Sequence, residues 1–218
     1  MTRIHAGAQL ERLPGPKYAA ALGFAEISLG QPLPNPKTLQ KWADDMPDGV
    51  ELSFVVPYAA RTSEKGDLRF DEAMEDAVEY TIEAASILKA KFVVLPTGAG
   101  VTTGPRHRER LRDWFSRWEG TEHTMVWHPT GLWDPEIAQP FAAELGVVCG
   151  FDPLISTPPA ASTLYCRLRA IGARQRFDET LLLEIADSLE ESGAEDAYVA
   201  LESPKSFREA SRLATIAS

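Results

Sequence analysis

The sequence predicts an α/β protein folded as a single (β/α)₈ TIM-type barrel. Eight short runs rich in Val, Ile, Leu, Phe or Tyr recur along the 218 residues, and most are followed by a turn and a helix-patterned stretch. Alternating strand and helix indicates a parallel sheet covered by helices, and eight repeats is the number that closes this barrel. The runs are Arg3–Ala6, Phe24–Leu29, Glu51–Pro57, Lys91–Pro96, Thr124–Pro129, Val147–Asp152, Leu164–Ala170 and Ala197–Glu202.

The segments between these runs carry helix signals of two kinds. Three of them show apolar residues at the 3.6-residue period of an amphipathic helix: Asp71–Lys89, Arg106–Trp118 and Asp178–Ser192. Three helix starts pair a capping side chain with proline at the first helical position, where the missing N–H has no consequence. These are Asn35-Pro36, Asp134-Pro135 and Ser203-Pro204.

One connection departs from the pattern. Pro153–Ser162, between the sixth and seventh runs, contains three prolines and is too short for a full crossover helix. We expect an irregular segment there. No linker-like stretch divides the rest, so we expect one compact domain over residues 1–218.

Composition and charge exclude several classes of function. The net charge of −10 argues against nucleic acid as a partner, because neutralising phosphates requires a basic surface. There is no apolar stretch of membrane-spanning length and no basic-then-apolar leader at Met1. We therefore expect a cytoplasmic protein without a membrane partner. The two cysteines, Cys149 and Cys166, lie on neighbouring predicted strands, and we expect buried, reduced thiols on the helix-facing side.

Charged residues recur at predicted strand ends, where the active sites of such barrels lie. Glu26 stands in an apolar strand, where a carboxylate is costly to bury unless it is paired. Mixed acids and guanidinium groups would suit an anionic or hydroxylated small molecule, although ion pairs that only satisfy the barrel interior remain the alternative. The predicted cluster is Glu26, Asp152, Arg167, Arg169 and Glu202, with Ser28 on the same face as Glu26.

A glycine-containing loop follows the fourth strand. Gly98 and Gly100 precede a helix that begins Arg106-His107-Arg108. Glycine lets backbone N–H groups approach a phosphate, and a helix N-terminus favours anions. The spacing matches no phosphate-binding fingerprint, so an ordinary flexible loop before a solvated basic face is the alternative.

His128 ends the fifth strand. A histidine there could act as a general acid or base, or stack with Trp127 against a ligand, or be a structural group held by hydrogen bonds. No spacing of His, Cys and carboxylate residues predicts a metal site, and we expect no cofactor.

Several motifs resemble one known family in order and spacing. They are Phe24–Ser28, Pro34–Trp42, Pro47–Phe54, Val93–Pro96, His128-Pro129 with Trp133, Gly146–Pro153 and Tyr165–Leu168. Together they are similar to the YecE-like family, domain of unknown function 72. The resemblance implies a TIM-type barrel and brings no settled reaction with it.

The departures from the family pattern imply a divergent member. Where the family has polar side chains, this chain has Val56, Val94, Met125 and Trp127. By strand alternation we expect these four positions to face the barrel interior. The polar residues that remain, and that we take as candidate catalytic residues, are Glu26, His128, Asp152 and Arg167.

Three functions follow from these observations. The first is binding of a small anionic or sugar-like ligand at the C-terminal strand ends, with weak or lost catalysis. The second is a non-catalytic partner or regulatory subunit that associates with another protein or with itself. The third is an active, metal-independent hydrolase or isomerase that uses the acid–base residues.

Overall fold

The computed structural model describes residues 1–172 and 175–218. Its parallel strands close into an eight-stranded barrel in the order β1-β10-β9-β8-β7-β6-β3-β2, and β4 and β5 form a separate antiparallel hairpin. The (β/α)₈ prediction is confirmed, since each of the eight predicted runs is a barrel strand. The strands are β1 (Arg3–Leu10), β2 (Phe24–Ile27), β3 (Glu51–Val55), β4 (Thr62–Ser63), β5 (Gly66–Asp67), β6 (Phe92–Thr97), β7 (Thr124–Pro129), β8 (Val148–Phe151), β9 (Thr163–Arg169) and β10 (Asp196–Glu202).

The helices follow the predicted pattern with one correction. They are α1 (Pro16–Ala19), α2 (Pro36–Asp44), α3 (Glu72–Ile87), α4 (Pro105–Ser116), α5 (Pro135–Glu144), α6 (Glu179–Glu191) and α7 (Ser206–Ile216). Asn35 caps α2 by accepting the Thr38 N–H at 2.9 Å. The predicted start at Ser203-Pro204 is wrong, because α7 begins at Ser206. The Ser203 hydroxyl instead accepts the Lys205 N–H at 3.0 Å and donates to the Glu209 carboxylate.

The segment between β8 and β9 contains no helix, as predicted. The Asp152 carbonyl accepts the N–H groups of Ile155 and Ser156 at 3.2 and 3.0 Å, which closes a turn over the first residues of the segment. Prolines at 158 and 159 follow, and proline cannot supply the N–H groups that a continuing helix needs.

Residue contacts group the chain into two compact units. The first comprises Met1–Ile27, Met46–Glu51 and Gly150–Ser218. In its core the Phe24 ring packs edge-on against Tyr165 and Tyr198, with centroids 6.2 and 5.2 Å apart. Gly7 lies against Phe24, and a side chain at this position would clash. A Cβ at Gly7 would lie 2.6 Å from the Phe24 ring and 2.5 Å from its carbonyl oxygen.

The second unit comprises Ser28–Asp45 and Leu52–Cys149. One of its largest fully buried side chains is Trp114, which donates Nε1–H to the Ala60 carbonyl at 2.8 Å. A second aromatic group joins Trp127, Trp133 and Phe141, and the last two rings stack 5.4 Å apart. Whether residues 1–218 form one domain stays a prediction.

The two cysteines are buried, as expected. Cys166 lies between Tyr165 and Arg167 on β9 and points to the opposite face. Burial raises the pKa of Cys149 to about 11. Burial, reinforced by the negative charge of Asp152, raises the pKa of Cys166 well above its ordinary value. Within the described residues no helix combines the length and the apolar character that crossing a membrane requires.

Candidate functional site

Glu26 is the centre of the charged cluster in the first unit. Its side chain is fully buried, and its two oxygens accept three hydrogen bonds. Oε1 receives Nε–H of Arg167 at 2.8 Å and the amide of Gln9 at 3.0 Å, and Oε2 receives the Tyr165 hydroxyl at 2.8 Å. The carboxylate is thus buried with its charge paired, as low-dielectric surroundings demand.

Strand register explains why these side chains meet. Gln9 on β1 lies directly beside Glu26 on β2, and both therefore point to the same face of the sheet. Tyr165 and Arg167 are two residues apart on β9 and share a face by alternation. Three strands therefore supply the four side chains, and no loop is needed to position them.

Arg167 extends the cluster towards solvent. Its side chain is 18% exposed, and its Nη2 lies 3.8 Å from Oε2 of Glu202. The other oxygen of Glu202, Oε1, lies 3.2 Å from Nε of Arg169. Burial lowers the pKa of Arg167, but the charges and hydrogen bonding of Glu26, with Tyr165 and Glu202, outweigh burial and raise that pKa. The prediction that Glu26, Arg167, Arg169 and Glu202 come together is therefore met in the geometry.

Asp152 makes a local hydrogen bond after β8. Its Oδ1 accepts the N–H of Leu154 at 2.9 Å and so caps the turn after β8. Burial raises the pKa of Asp152, and the Leu154 hydrogen bond opposes that rise in part. Strand pairing of β8 ends at Phe151, one residue before Asp152. The side chain stabilises the turn, and its membership of the charged cluster stays a prediction.

The predicted ligand-facing role of Trp127 is wrong. The side chain is fully buried, packs on Phe141 of α5 and donates Nε1–H to Thr97 Oγ1 at 3.0 Å. It therefore points to the helix layer. His128, the next residue, points to the opposite face and is half-buried, so the two cannot stack together on a ligand.

The same register shows which of the four apolar positions that replace polar family residues face the barrel interior. Met125 shares the face of Trp127 on β7 and is thus turned towards the helices, whereas Val94 pairs with Val126 and lies on the opposite face. Val56 is buried one residue beyond β3. The expectation that all four positions face the barrel interior is therefore wrong for Met125 and Trp127.

The glycine loop has a local structure of its own. The Gly98 carbonyl accepts the Val101 N–H at 3.0 Å, forming a tight turn. A Cβ at Gly100 would lie 2.1 Å from Oδ2 of Asp67, so a carboxylate occupies the space beside this glycine. That negative charge disfavours an anion at Gly100. A ligand role for Gly98 stays a prediction.

The basic residues after this loop are hydrogen-bonded to the backbone of the loop. His107 Nδ1 accepts the Thr102 N–H at 3.1 Å, and Arg108 donates Nε–H to the Thr103 carbonyl at 2.9 Å while lying over the Phe141 ring. Burial lowers the pKa of His107, and the positive charge of Arg110 lowers it further. The negative charge of Asp67 opposes this in part.

Gln9 and Tyr165 are the members of the site that sequence reasoning missed. Tyr165 could be found from alternation, because it is two residues from Arg167. Gln9 could not, because it lies beyond the predicted first run Arg3–Ala6, and the structure extends β1 to Leu10. Ser28 is half-buried immediately after β2. In the described part of the chain, no three His, Cys, Asp or Glu side chains are grouped as metal ligands would be.

Comparison with known proteins defines the fold class. No family model matches the sequence, and no curated protein does so. Among solved structures, the chain is similar to D-psicose 3-epimerase with D-tagatose from Clostridium cellulolyticum H10, at 10% identity and a TM-score of 0.63. That alignment covers 99% of this chain and 98% of the other. The chain is an α/β barrel of this TIM type.

Two further structures carry the family name that the sequence motifs suggested. A DUF72 family protein from Thermotoga maritima MSB8 has 12% identity and a TM-score of 0.74, over 98% of this chain and 97% of the other. A DUF72 family protein from Enterococcus faecalis V583 has 12% identity and a TM-score of 0.69, over 100% of this chain and 94% of the other. The barrel fold that the resemblance implied is confirmed.

Proposed function

We propose that this DUF72-like barrel binds a small, hydroxylated anion, such as a sugar acid or a sugar phosphate, at the C-terminal ends of β1, β2, β9 and β10. The proposal rests on one observation, the hydrogen bond by which Glu26 binds Nε of Arg167 and not its terminal nitrogens. Glu26 bonds to Nε, so the terminal nitrogens of the guanidinium extend beyond the buried carboxylate. A guanidinium edge binds carboxylate or phosphate through two parallel hydrogen bonds.

The surrounding side chains suit hydroxyl groups. Glu202 lies 3.8 Å from Arg167 and is about one-third exposed, and Arg169 beside it is largely exposed. A carboxylate accepts hydrogen bonds from sugar hydroxyls, and the second guanidinium adds positive charge for the anionic group. The solved structure of an epimerase with D-tagatose shows that this barrel type accommodates a sugar in that protein.

The same geometry favours weak or lost catalysis. A general base needs a lone pair that reaches the substrate proton. Glu26 is fully buried and already accepts three hydrogen bonds, and the Asp152 carboxylate caps a turn. Glu26 is therefore not placed as a general base, and one oxygen of Asp152 is already bonded within the turn. We therefore favour a binding protein over a hydrolase or isomerase.

A thermal-shift comparison tests this function. Wild type is heated with millimolar D-gluconate, D-glucose 6-phosphate or D-glucose. We expect one of the anions to raise Tm by about 3 °C, in line with a ligand that binds only the folded state, and glucose to have a smaller effect. Arg169→Gln should weaken the shift, because it removes a rim charge and leaves the Glu26–Arg167 pair intact.

Two further variants make the comparison specific. Arg167→Gln should abolish the shift, whereas Arg12→Gln, at an exposed arginine on the loop after β1, should preserve it. A shift that survives Arg167→Gln, or the absence of any anion-dependent shift, would overturn the proposal.

A further inference from the structure

A continuous groove lies on the outer surface of the first unit, along α6. One part, of about 660 Å³, is lined by the irregular segment between β8 and β9 together with Ser188, Glu191 and Ser192. The adjoining part, of about 440 Å³, continues along α6 and shares Ser188 and Glu191 with the first. We infer that this groove is a docking surface for an extended, basic segment of another protein.

The irregular segment supplies the apolar contact. Ile155 is 83% exposed although it is a large aliphatic residue, and Leu183 on α6 is 44% exposed. Pro158 and Pro159 line the same groove and fix the backbone that presents Ile155. Exposed apolar side chains beside a rigid backbone are typical of a surface that another chain covers.

The other wall is acidic. Glu184, Asp187 and Glu191 project from α6 into the groove, and across residues 1–172 and 175–218 none of the three lies within ion-pair distance of a cation. Glu191 is also the last residue of α6, and the final turn of this helix contains no basic residue. Negative charge at a helix C-terminus opposes the helix dipole. A cationic partner would remove that unfavourable interaction.

Charge also identifies the occupant as a different protein. In a symmetric pair of copies the same surface meets itself, and that would place Glu184, Asp187 and Glu191 of one copy against those of the other. The whole chain carries a net charge of −10, so its other surfaces offer little compensation. A partner segment with Lys or Arg between apolar residues satisfies both walls of the groove.

A displayed library of random decapeptides tests the inference. The library is selected on wild type alone, and binding of the retained peptides to Glu184→Lys/Glu191→Lys is measured afterwards. We expect the retained peptides to alternate Lys or Arg with Leu, Ile or Pro, and to lose at least tenfold in affinity with the double variant and with Ile155→Asp. Binding should weaken as salt rises, since exposed charges are screened.

Three outcomes would overturn the inference. The selection could return acidic or uncharged peptides, or none. The selected peptides could bind Glu184→Lys/Glu191→Lys as well as wild type, or lose as much affinity with Glu79→Lys/Glu83→Lys, a double charge reversal of the same size at exposed positions of α3. A dimer in sedimentation that Ile155→Asp dissociates would show that a second copy occupies the groove. None of these measurements uses the Arg167 site, so their failure leaves the ligand proposal unaffected.

Discussion

Tyr165 and Glu26 are 139 residues apart in the sequence, yet the Tyr165 hydroxyl donates a hydrogen bond of 2.8 Å to the Glu26 carboxylate inside the barrel. Both side chains are fully buried. The same carboxylate binds Arg167 through its other oxygen. Glu26 therefore links the buried packing of the barrel to the guanidinium that we propose contacts the ligand.

Within the site, substitutions of Glu26 and Tyr165 should lower the free energy of unfolding most. Glu26→Ala leaves the Arg167 guanidinium without its buried counter-ion, and we expect a loss of about 3 kcal/mol in the free energy of unfolding. Tyr165→Phe removes one hydrogen bond to a charged acceptor and should cost about 2 kcal/mol. Urea unfolding of both variants measures these losses.

A second tyrosine provides the matched control. Tyr198 donates to Glu51 at 2.8 Å, but Glu51 is only half-buried, so Tyr198→Phe should cost about 1 kcal/mol. Equal losses for the two tyrosine variants would show that burial of Glu26 adds nothing.

Gly7 should tolerate no side chain. A Cβ there would lie 2.5 Å from the carbonyl oxygen of Phe24 and 2.6 Å from its ring, so Gly7→Ala forces a core shift. We expect a loss of about 2 kcal/mol, measured by urea unfolding. Gly30→Ala, where a Cβ meets nothing within 4 Å, should change stability little. Similar losses for the two variants would argue against the close packing of β1 and β2.

Asp152 should reduce stability when it is ionised. Burial, opposed in part by the Leu154 N–H, raises its folded pKa above the ordinary value of 3.8. The protonated Asp152 therefore contributes its full stability below pH 3.8, and this contribution is lost as the pH rises through the folded pKa. Asp152→Asn keeps an oxygen for Leu154 and removes the charge. We expect a higher Tm than wild type at neutral pH and no difference below 3.8; a lower Tm at neutral pH would contradict this.

Asp196 should show the opposite sign. The hydrogen bond from His5 lowers its pKa, burial opposes this, and Arg3 lowers the pKa further. The ionised Asp196 therefore contributes its full stability above pH 3.8, the ordinary pKa, and this contribution is lost as the pH falls through the folded pKa. Asp196→Asn should lower Tm at neutral pH, with the difference from wild type closing in acid. A pH-independent difference would contradict the ion pair as its source.

The two cysteines should be inert in the folded protein. Burial raises the pKa of both thiols, so little thiolate forms near neutral pH. A chromogenic disulfide reagent should react with neither Cys149 nor Cys166 in the native state, and with both in denaturant. Rapid native reaction of one thiol would show that its part of the helix-facing layer opens.

The sequence allowed the barrel and four residues of the cluster, Glu26, Arg167, Arg169 and Glu202, to be predicted, because strand spacing and period-two alternation are local properties. They place Glu26 and Arg167 on one face without knowledge of the contacts. The position of Trp127 was not accessible in this way, because its direction depends on packing against Phe141, fourteen residues later on α5. The turn hydrogen bond of Asp152 was not accessible either, because it depends on where the strand pairing of β8 stops.

The most direct test of the central claim follows the Nε–H signal of Arg167 by proton–nitrogen NMR, with Arg167→Lys for assignment. A buried Nε–H bonded to Glu26 should exchange slowly at neutral pH, shift on addition of the anion that raises Tm, and disappear in Glu26→Ala. A rapidly exchanging signal that resembles the exposed Arg169, or one that the anion leaves unchanged, would contradict the account.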